Sequence, residues 1–200
     1  MRILVIGASG TIGGPVADAL AERHEVLRAA RSHGDYHVDI SQPESIVQLF
    51  ESVGEIDALV SVTGSARFKS LEQLTDEDLA FSLANKLMGQ VNLVRFGLKS
   101  LRDDGSITLT TGVLASEPMP GAAALSLVNG GLESFARAAA LDLPRGVRIN
   151  IVSPPWVSET LVAMGRDGAE GMPAAKVAAA YVASVEGTDT GKIIDARKFA

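Results

Sequence analysis

The residues from Ile3 to Gly13 combine an apolar run with three glycines spaced three apart, and a helix-like stretch from Gly14 to Arg23 follows. A continuous β-branched run is typical of a buried parallel strand. Gly7 allows a sharp turn after that strand, Gly10 lets the backbone approach a pyrophosphate, and Gly13 lets the next helix pack closely. Free N–H groups at the start of the helix then face the anion. The pattern predicts a nucleotide-phosphate site; the alternative is that these glycines serve tight packing alone.

The residues after the second predicted strand indicate which dinucleotide fits. An acidic side chain at this point usually accepts from the ribose 2′-hydroxyl of NAD, whereas the 2′-phosphate of NADP needs cations. The sequence places Arg31 and Ser32 here, and the next acid is Asp35. Arg31 can form charge-assisted hydrogen bonds with a phosphate, Ser32 can donate its hydroxyl, and Arg28 is a possible assistant. This favours NADP(H) over NAD(H); the alternative is that these are ordinary exposed polar residues.

Asp39 ends the third predicted strand and has two interpretations. Its carboxylate can accept a hydrogen bond from the amine of an adenine ring. The alternative is an N-terminal cap for the helix that is predicted to begin near Pro43, a role that Ser41 already fills in this reading.

Composition and charge exclude several classes of protein. The 200 residues are 46% hydrophobic and include no cysteine, which excludes a disulfide framework and a thiolate metal site. A formal net charge of -6 with scattered Lys and Arg offers no basic stripe for nucleic acid. No apolar run approaches the roughly 20 residues of a membrane span, and nothing before Gly7 resembles a signal peptide. We therefore expect a cytoplasmic protein in which residues 1–200 form a single nucleotide-binding domain.

The elements that would position these residues alternate along the chain. Strands are predicted near residues 2–6, 25–29, 35–39, 56–62, 105–110, 147–152 and 192–195. Helices are predicted at 12–23, 42–53, 75–101, 121–143 and 173–185. The alternation predicts a three-layer α/β Rossmann fold, a doubly wound parallel sheet of about seven strands with helices on both faces. Ligands of such a sheet bind beyond the carboxyl ends of the strands, where the strand order reverses.

Further short motifs accompany the glycine loop. They are Asp39-Ile40, Ser61-Val62-Thr63-Gly64, Asn85, the strand segments Gly105–Thr111 and Val147–Pro154, and Gly191–Asp195. Together with the loop, these motifs resemble the short-chain dehydrogenase/reductase family over nearly the whole chain. The resemblance implies an NADP(H)-binding oxidoreductase whose cofactor contacts are Gly7, Ser9, Gly10, Thr11, Ile12, Gly13, Arg31, Ser32, Asp39, Ile40, Thr63, Gly64 and Pro154. Pro155 replaces the glycine of the family's Pro-Gly turn.

The resemblance breaks at the catalytic positions. In the family a Tyr transfers the proton, a Lys four residues later lowers the Tyr pKa, and a Ser on the fifth strand holds the substrate oxygen. The resemblance places Leu125 at the Tyr, Asn129 at the Lys and Thr111 at the Ser, and it places Asn85 at the helix Asn that supports the relay. Leucine has no exchangeable proton and an amide carries no charge, so the usual relay cannot run. The polar groups left for catalysis are Thr111, Asn85 and Asn129, with Ser126 and Glu117 as further candidates. Asn129 could equally be a packing amide.

Other proton donors lie elsewhere in the sequence. Tyr36 and Tyr181 belong to a crossover region and a C-terminal helix, and neither is expected to reach a nicotinamide. The histidines all fall in the adenine half, so no metal site is expected. Lys86 follows Asn85 on the long helix and is expected to solvate a helix face, since lysine is rarely buried.

The segment from Pro154 to Met172 is expected to shape substrate specificity. It carries Trp156 and Met164 and several glycines, which together suggest a mobile lid with an apolar inner face. The alternative for Trp156 is that it seals the edge of the core.

Small residues on the predicted helices 75–101 and 121–143 permit close helix contacts. In the family these two helices form a dimer face, so the resemblance suggests a homodimer or a higher homo-oligomer. An interior helix would also need small residues.

Three functional hypotheses follow. The first is an NADP(H)-dependent oxidoreductase that acts on a small carbonyl-type substrate by hydride transfer with a degenerate catalytic site. The second is a non-catalytic NADP(H)-binding sensor or scaffold. The third, a Rossmann-type protein for another nucleotide, is disfavoured because the glycine loop, Arg31 and Asp39 agree on one dinucleotide pose.

Overall fold

A parallel sheet of seven strands forms the centre of the protein, whose computed structural model describes residues 1–199. In chain order the strands are β1 (Arg2–Ile6), β2 (Glu25–Ala30), β3 (Tyr36–His37), β4 (Ile56–Ser61), β5 (Leu101–Thr110), β6 (Arg148–Ser153) and β7 (Ile193–Asp195). Their order across the sheet is β3-β2-β1-β4-β5-β6-β7. Chain progression reverses between β1 and β4, so a ligand crevice opens beyond their carboxyl ends. The predicted doubly wound α/β fold is confirmed.

Helices cover both faces of the sheet. They are α1 (Gly13–Ala21), α2 (Pro43–Val53), α3 (Asp76–Ser82), α4 (Gly89–Gly97), α5 (Ala123–Asp142), α6 (Ser158–Ala163) and α7 (Ala174–Glu186). Side chains of α2, α4 and α5 share one apolar core, and those of α1 and α7 share the other. Within residues 1–199, no helix combines the length and apolar character that crossing a membrane requires.

Strand β1 shows why a continuous apolar run predicts a central strand. Successive side chains of a strand point to opposite faces. Leu4 and Ile6 accordingly enter the core beneath α2, α4 and α5, whereas Ile3 and Val5 enter the core beneath α1 and α7. All four residues are essentially inaccessible to solvent, so neither face of this strand tolerates a polar side chain.

The structure differs from the predicted elements in four places. The helix predicted over 75–101 is three pieces, because a π-helical segment at Leu83–Met88 separates α3 from α4. Helix α4 ends at Gly97, and β5 begins four residues earlier than predicted, at Leu101. The third strand is only two residues long. Helix α6 lies in a segment for which no helix was predicted.

Candidate functional site

The loop between β1 and α1 presents unpaired amide groups at the crevice. The N–H groups of Gly7 and Ala8 donate to the Ala29 carbonyl, and that of Gly10 donates to the Gly7 carbonyl. Within residues 1–199, four other N–H groups have no backbone acceptor, those of Ser9, Thr11, Ile12 and Gly13. Helix α1 also begins without a side-chain cap and without an acidic residue in its first turn. These donors and the helix dipole therefore suit a phosphate.

Two glycines of this loop are required by close backbone packing. Gly7 has a φ of 88°, a region that favours glycine, and a side chain there would collide with the Val62 carbonyl. A Cβ on Gly13 would overlap the carbonyl group of Gly7. Because neither residue has a side chain, the start of α1 can lie directly against the loop.

A cavity of about 220 Å³ lies beyond the ends of β1, β2 and β4 at the predicted adenine end. It collects many of the residues assigned to the cofactor, namely Gly7, Ser9, Gly10, Arg31, Ser32, Asp39, Ile40, Thr63 and Gly64. Asn85, a predicted catalytic residue, also lines this cavity, and its Nδ2 donates to the Phe81 carbonyl at 3.1 Å. Arg31 is exposed here and forms no ion pair within residues 1–199. Arg28 instead pairs with Asp18 at 2.7 Å and does not line the cavity, so Arg31 is the arginine available to a bound phosphate.

Asp39 faces this cavity with one of its carboxylate oxygens already occupied. Its Oδ1 accepts hydrogen bonds from the Ser41 hydroxyl at 2.7 Å and the Ser41 amide at 2.9 Å. The hydroxyl contact is the main reason that the pKa of Asp39 lies below its ordinary value. The expectation that Asp39 or Ser41 caps the next helix is wrong, because α2 is preceded by Gln42 and has no side-chain cap. Oδ2 has no partner within residues 1–199 and is available to a ligand amine.

A second cavity, of about 250 Å³, lies between the end of β5, helix α5 and the segment after β6. Its walls are largely apolar, with Leu125 and Trp156 among them. Three of the residues predicted to act at this end also line it, Thr111, Asn129 and Pro154. The cavity has the character of a site for a small ligand with an apolar body.

A third cavity, of about 510 Å³, connects these two ends. With the adenine-end cavity it shares Gly10, Val62, Thr63, Gly64 and Ser65. With the apolar cavity it shares Ile12, Lys86, Thr111, Pro154 and Thr160. The three form one continuous crevice that passes over the glycine loop.

Lys86 lines this crevice, and the expectation that it solvates a helix face is wrong. The residue is 7% exposed and lies in the π-helical segment. Burial lowers the pKa of its amine from 10.5 to about 8. No hydrogen-bond acceptor for its ammonium group occurs within residues 1–199. The regular helix predicted over 75–101 does not include the π-helical turn in which Lys86 lies buried.

Thr111 and Asn129, at the apolar cavity, differ in how fully their side chains are hydrogen-bonded. The Thr111 hydroxyl donates to Glu133 Oε1 at 3.2 Å, a partner that sequence reasoning missed. Asn129 Nδ2 makes a long contact of 3.5 Å with the Gly112 carbonyl, and its buried Oδ1 has no partner within the described chain. A buried acceptor without a donor is rare in proteins, so this oxygen is available to a bound ligand.

Several other candidates have structural roles. Ser126 donates to the Leu114 carbonyl at 2.6 Å. Glu117 forms a two-point ion pair with Arg197, and the hydrogen bonds from that arginine lower the pKa of Glu117. Burial raises the pKa of Tyr181, whose hydroxyl contacts Thr110 at 2.7 Å on the α7 side of the sheet. Within residues 1–199, no group of three His, Asp or Glu side chains could hold a metal ion.

Backbone contacts join the two ends of the segment that follows β6. Val157 bridges to Met172, and the Ser158 amide donates to the Met172 carbonyl at 3.0 Å. Trp156 lines the apolar cavity and meets Phe68 edge-on, with ring centroids 6.2 Å apart. Met164 is 53% exposed and does not line the cavity, in contrast to its predicted place on the lid. Thr160 of α6, which sequence reasoning missed, lies there instead.

Comparison with known proteins gives consistent matches. A family model described as enoyl-(acyl carrier protein) reductase matches residues 13–194. An uncharacterized oxidoreductase of Methylorubrum extorquens is 30% identical over 181 residues, which cover 77% of this chain and 72% of that protein. The 3-oxoacyl-(acyl-carrier-protein) reductase of Bos taurus is 28% identical over 175 residues, which cover 76% of this chain and 74% of the relative.

Solved structures match almost the whole chain. The protein lin1944 from Listeria innocua superposes with a TM-score of 0.94 at 45% identity, covering 98% of each chain. A small-chain dehydrogenase in complex with NADPH superposes with a TM-score of 0.86 at 25% identity, covering 98% of this chain and 95% of the other.

Proposed function

The chain belongs to the short-chain dehydrogenase/reductase family, and we propose that it is an NADP(H)-dependent oxidoreductase acting on a small carbonyl-type substrate. The observation that carries this proposal is the continuous crevice. One end carries Arg31 and Asp39, the middle carries the unpaired amides of the glycine loop, and the other end is an apolar cavity. Along the crevice these three regions match, in order, the adenosine half of a dinucleotide, its pyrophosphate, and a substrate beside its nicotinamide.

The residues along the crevice fit such a cofactor. The free N–H groups of Ser9, Thr11, Ile12 and Gly13 would hold the pyrophosphate, and Asp39 Oδ2 would accept from the adenine amine. When bound, a reduced nicotinamide supplies the hydride. Thr63, Gly64 and Pro154 line the middle of the crevice and would flank the cofactor there.

The preference for NADP(H) over NAD(H) rests on Arg31. Its guanidinium is exposed at the adenine-end cavity and unpaired within the described residues, and Ser32 lies beside it. No acidic side chain of the cavity except Asp39 competes for it. The similar small-chain dehydrogenase solved with NADPH supports this preference.

The size and lining of the apolar cavity support a small substrate. At about 250 Å³ it lies slightly below the range of ordinary ligand pockets, which begins at roughly 300 Å³. Leu125, which the resemblance places at the family's proton-donating Tyr, forms part of the apolar wall of this cavity. This substitution also favours a second candidate function, a sensor that binds NADP(H) without turnover.

Replacing Arg31 with Asp tests the cofactor assignment. We expect NADPH affinity to fall about 10- to 100-fold, because charge-assisted hydrogen bonds to the 2′-phosphate are lost and a like charge replaces them. NADH affinity should hold or rise. Nicotinamide fluorescence titration measures both. Arg95→Asp, an equal charge change on the exposed side of α4, should leave both affinities unchanged; an equal loss in the two variants would contradict the assignment.

Turnover separates the enzyme from the sensor. Aldehydes, ketones and quinones are added to the protein saturated with NADPH, and oxidation is followed by absorbance. Consumption of NADPH supports the oxidoreductase. Tight binding with no consumption across the panel favours the sensor.

We also propose that two copies associate through α5. One face of this helix carries exposed small or apolar residues, Leu127 (53% exposed), Ala138 and Leu141 (87% exposed), with the half-buried Gly130 among them. Leu127→Lys is expected to shift the solution mass measured by light scattering toward the monomer. Val47→Lys, on the exposed side of α2, is the control and should not alter the mass. A monomeric wild-type protein would refute the proposed dimer.

A further inference from the structure

Lys86 is the one charged side chain that lines the apolar cavity among residues 1–199. It reaches the cavity from the π-helical segment, whereas Leu125 and Asn129, which the resemblance places at the family's Tyr and Lys, lie on α5. π-Helical turns are rare and frequently occur at functional sites. The site therefore has a cation, although it comes from a different helix.

Local contacts fix the position of the π-helical segment. Gly64 has a φ of 109°, and a Cβ there would lie 3.0 Å from Lys86 Cα and 3.2 Å from its Cγ. The Gln90 side chain donates to the Lys86 carbonyl at 3.4 Å and to the Thr110 carbonyl at 2.8 Å, and its oxygen accepts from the Thr110 amide at 2.9 Å. The loop after β4 and the end of β5 thus hold Lys86 beside Thr111.

The ammonium group has no counter-ion on the surrounding elements. The inward carboxylate of α3, Asp78, is held by Lys69 at 2.6 Å. On α5, Glu133 accepts from Thr111 and lies 4.0 Å from Arg137. Burial alone accounts for the lowered pKa of Lys86, so no neighbouring charge offsets its desolvation.

The other polar groups of the cavity are poorly suited to donate a proton. The hydrogen of the Thr111 hydroxyl is directed to Glu133, and Asn129 is an amide with a very weakly acidic N–H. The unpartnered Asn129 Oδ1 can accept a hydrogen bond from a ligand but cannot donate one. Lys86 has three N–H groups and none is engaged within the described chain.

Building on the proposed oxidoreductase function, we propose that Lys86 donates the proton to the carbonyl oxygen of the substrate, in place of the Tyr that the family uses. The carbonyl carbon gains the hydride supplied by the reduced cofactor, and the electron pair of the C=O bond moves to oxygen. That oxygen forms an O–H bond as one N–H bond of Lys86 breaks. The neutral amine then regains a proton from water, and the alcohol leaves.

The acidity of Lys86 suits this step. With a pKa of about 8 the amine is mostly protonated at neutral pH, yet it releases a proton far more readily than an ordinary lysine. The protonated form is lost above pH 8. The value of kcat/KM at saturating NADPH should therefore be level below pH 8 and fall about tenfold per pH unit above it.

The test compares Lys86→Met and Lys86→Arg with the wild-type protein. We expect Lys86→Met to lower kcat/KM for benzaldehyde reduction 10²- to 10⁴-fold and to abolish the inflection of its pH profile near pH 8. The dissociation constant of NADPH should change less than threefold. Lys86→Arg keeps the charge but is a far weaker acid, so it should recover little activity. Lys99→Met, an exposed lysine, is the control with unchanged activity. Unaltered turnover and pH profile in Lys86→Met would overturn the proposal.

A second readout does not depend on turnover. Protein carrying ¹³Cε-lysine is titrated by NMR, and the Lys86 signal is assigned by its loss in Lys86→Met. We expect this signal to titrate near pH 8 and to shift when benzaldehyde is added with or without NADP⁺. A signal that titrates like the exposed lysines, or that ignores benzaldehyde, overturns the role of Lys86. If the protein fails to bind NADPH, the proposed function is refuted. The NMR titration then still decides whether Lys86 contacts the carbonyl group of benzaldehyde.

Discussion

Replacing Gly13 with Ala is expected to cost roughly 2–3 kcal/mol of folding free energy and to weaken NADPH binding at least about tenfold. The new Cβ would overlap the Gly7 carbonyl, which is backbone and has no rotamer with which to move away. Helix α1 must then shift from the loop, and the amide groups that face the crevice shift with it. Thermal unfolding should show a Tm lower by roughly 4–12 °C.

Gly14→Ala is the matched control for that change. Its Cβ would lie 3.7 Å from the Ala8 carbonyl oxygen, an ordinary contact, in the same first turn of α1. Alanine also favours a helix over glycine by up to about 1 kcal/mol. We expect Gly14→Ala to keep the wild-type Tm or to exceed it, with NADPH binding intact. Equal damage from both substitutions would mean that the close contact at Gly13 is not the cause.

The stability of the protein should rise with pH by about 2 kcal/mol between pH 7 and pH 9.5 because of Lys86. The pKa of its amine falls from 10.5 to about 8 on folding, so the folded state binds protons less readily than the unfolded state. The charged amine destabilises the fold below pH 8. This penalty is relieved as the pH rises from 8 toward 10.5, where the folded protein has released the proton and the unfolded chain still holds it.

Lys86→Met isolates this contribution. The variant should be more stable than the wild-type protein at pH 7 and should lack the rise above pH 8, as measured by urea unfolding at a series of pH values. Lys99→Met should keep the wild-type pH dependence because its side chain is exposed. A residue that lowers stability while lining a ligand cavity is the pattern expected of a functional group. A rise in stability above pH 8 that persists in Lys86→Met would show that Lys86 is not its origin.

Much of the fold could be predicted because local patterns decide it. The apolar run of β1 and the glycines after it constrain the backbone within a few residues, and alternating segments of this kind nearly always form a doubly wound sheet. Asp39, Arg31 and the glycine loop meet at the crevice because each follows a strand of the same sheet. That convergence follows from topology alone.

The substrate end of the crevice could be predicted less well, because the positions and partners of its side chains depend on packing between segments that are distant in the chain. Lys86 lies buried in a π-helical turn that contacts Gly64 and Gln90, and the periodicity of a regular helix does not predict such a turn. Glu133 binds Thr111 from 22 residues away. The glycines between Trp156 and Met172 indicate a mobile loop and give no sign of α6. The sequence therefore predicts Met164 at the cavity, where the structure has Thr160. The signal available in the sequence was a lysine directly after Asn85, in a chain where the resemblance places Leu125 and Asn129 at the family's Tyr and Lys.

Titration of the purified wild-type protein with NADPH and with NADH, followed by nicotinamide fluorescence, tests whether the crevice is an NADP(H) site. We expect saturable binding of NADPH at least about tenfold tighter than that of NADH, a difference of about 1.4 kcal/mol that one charge-assisted contact at Arg31 can supply. Binding of neither nucleotide, or tighter binding of NADH, would contradict this assignment.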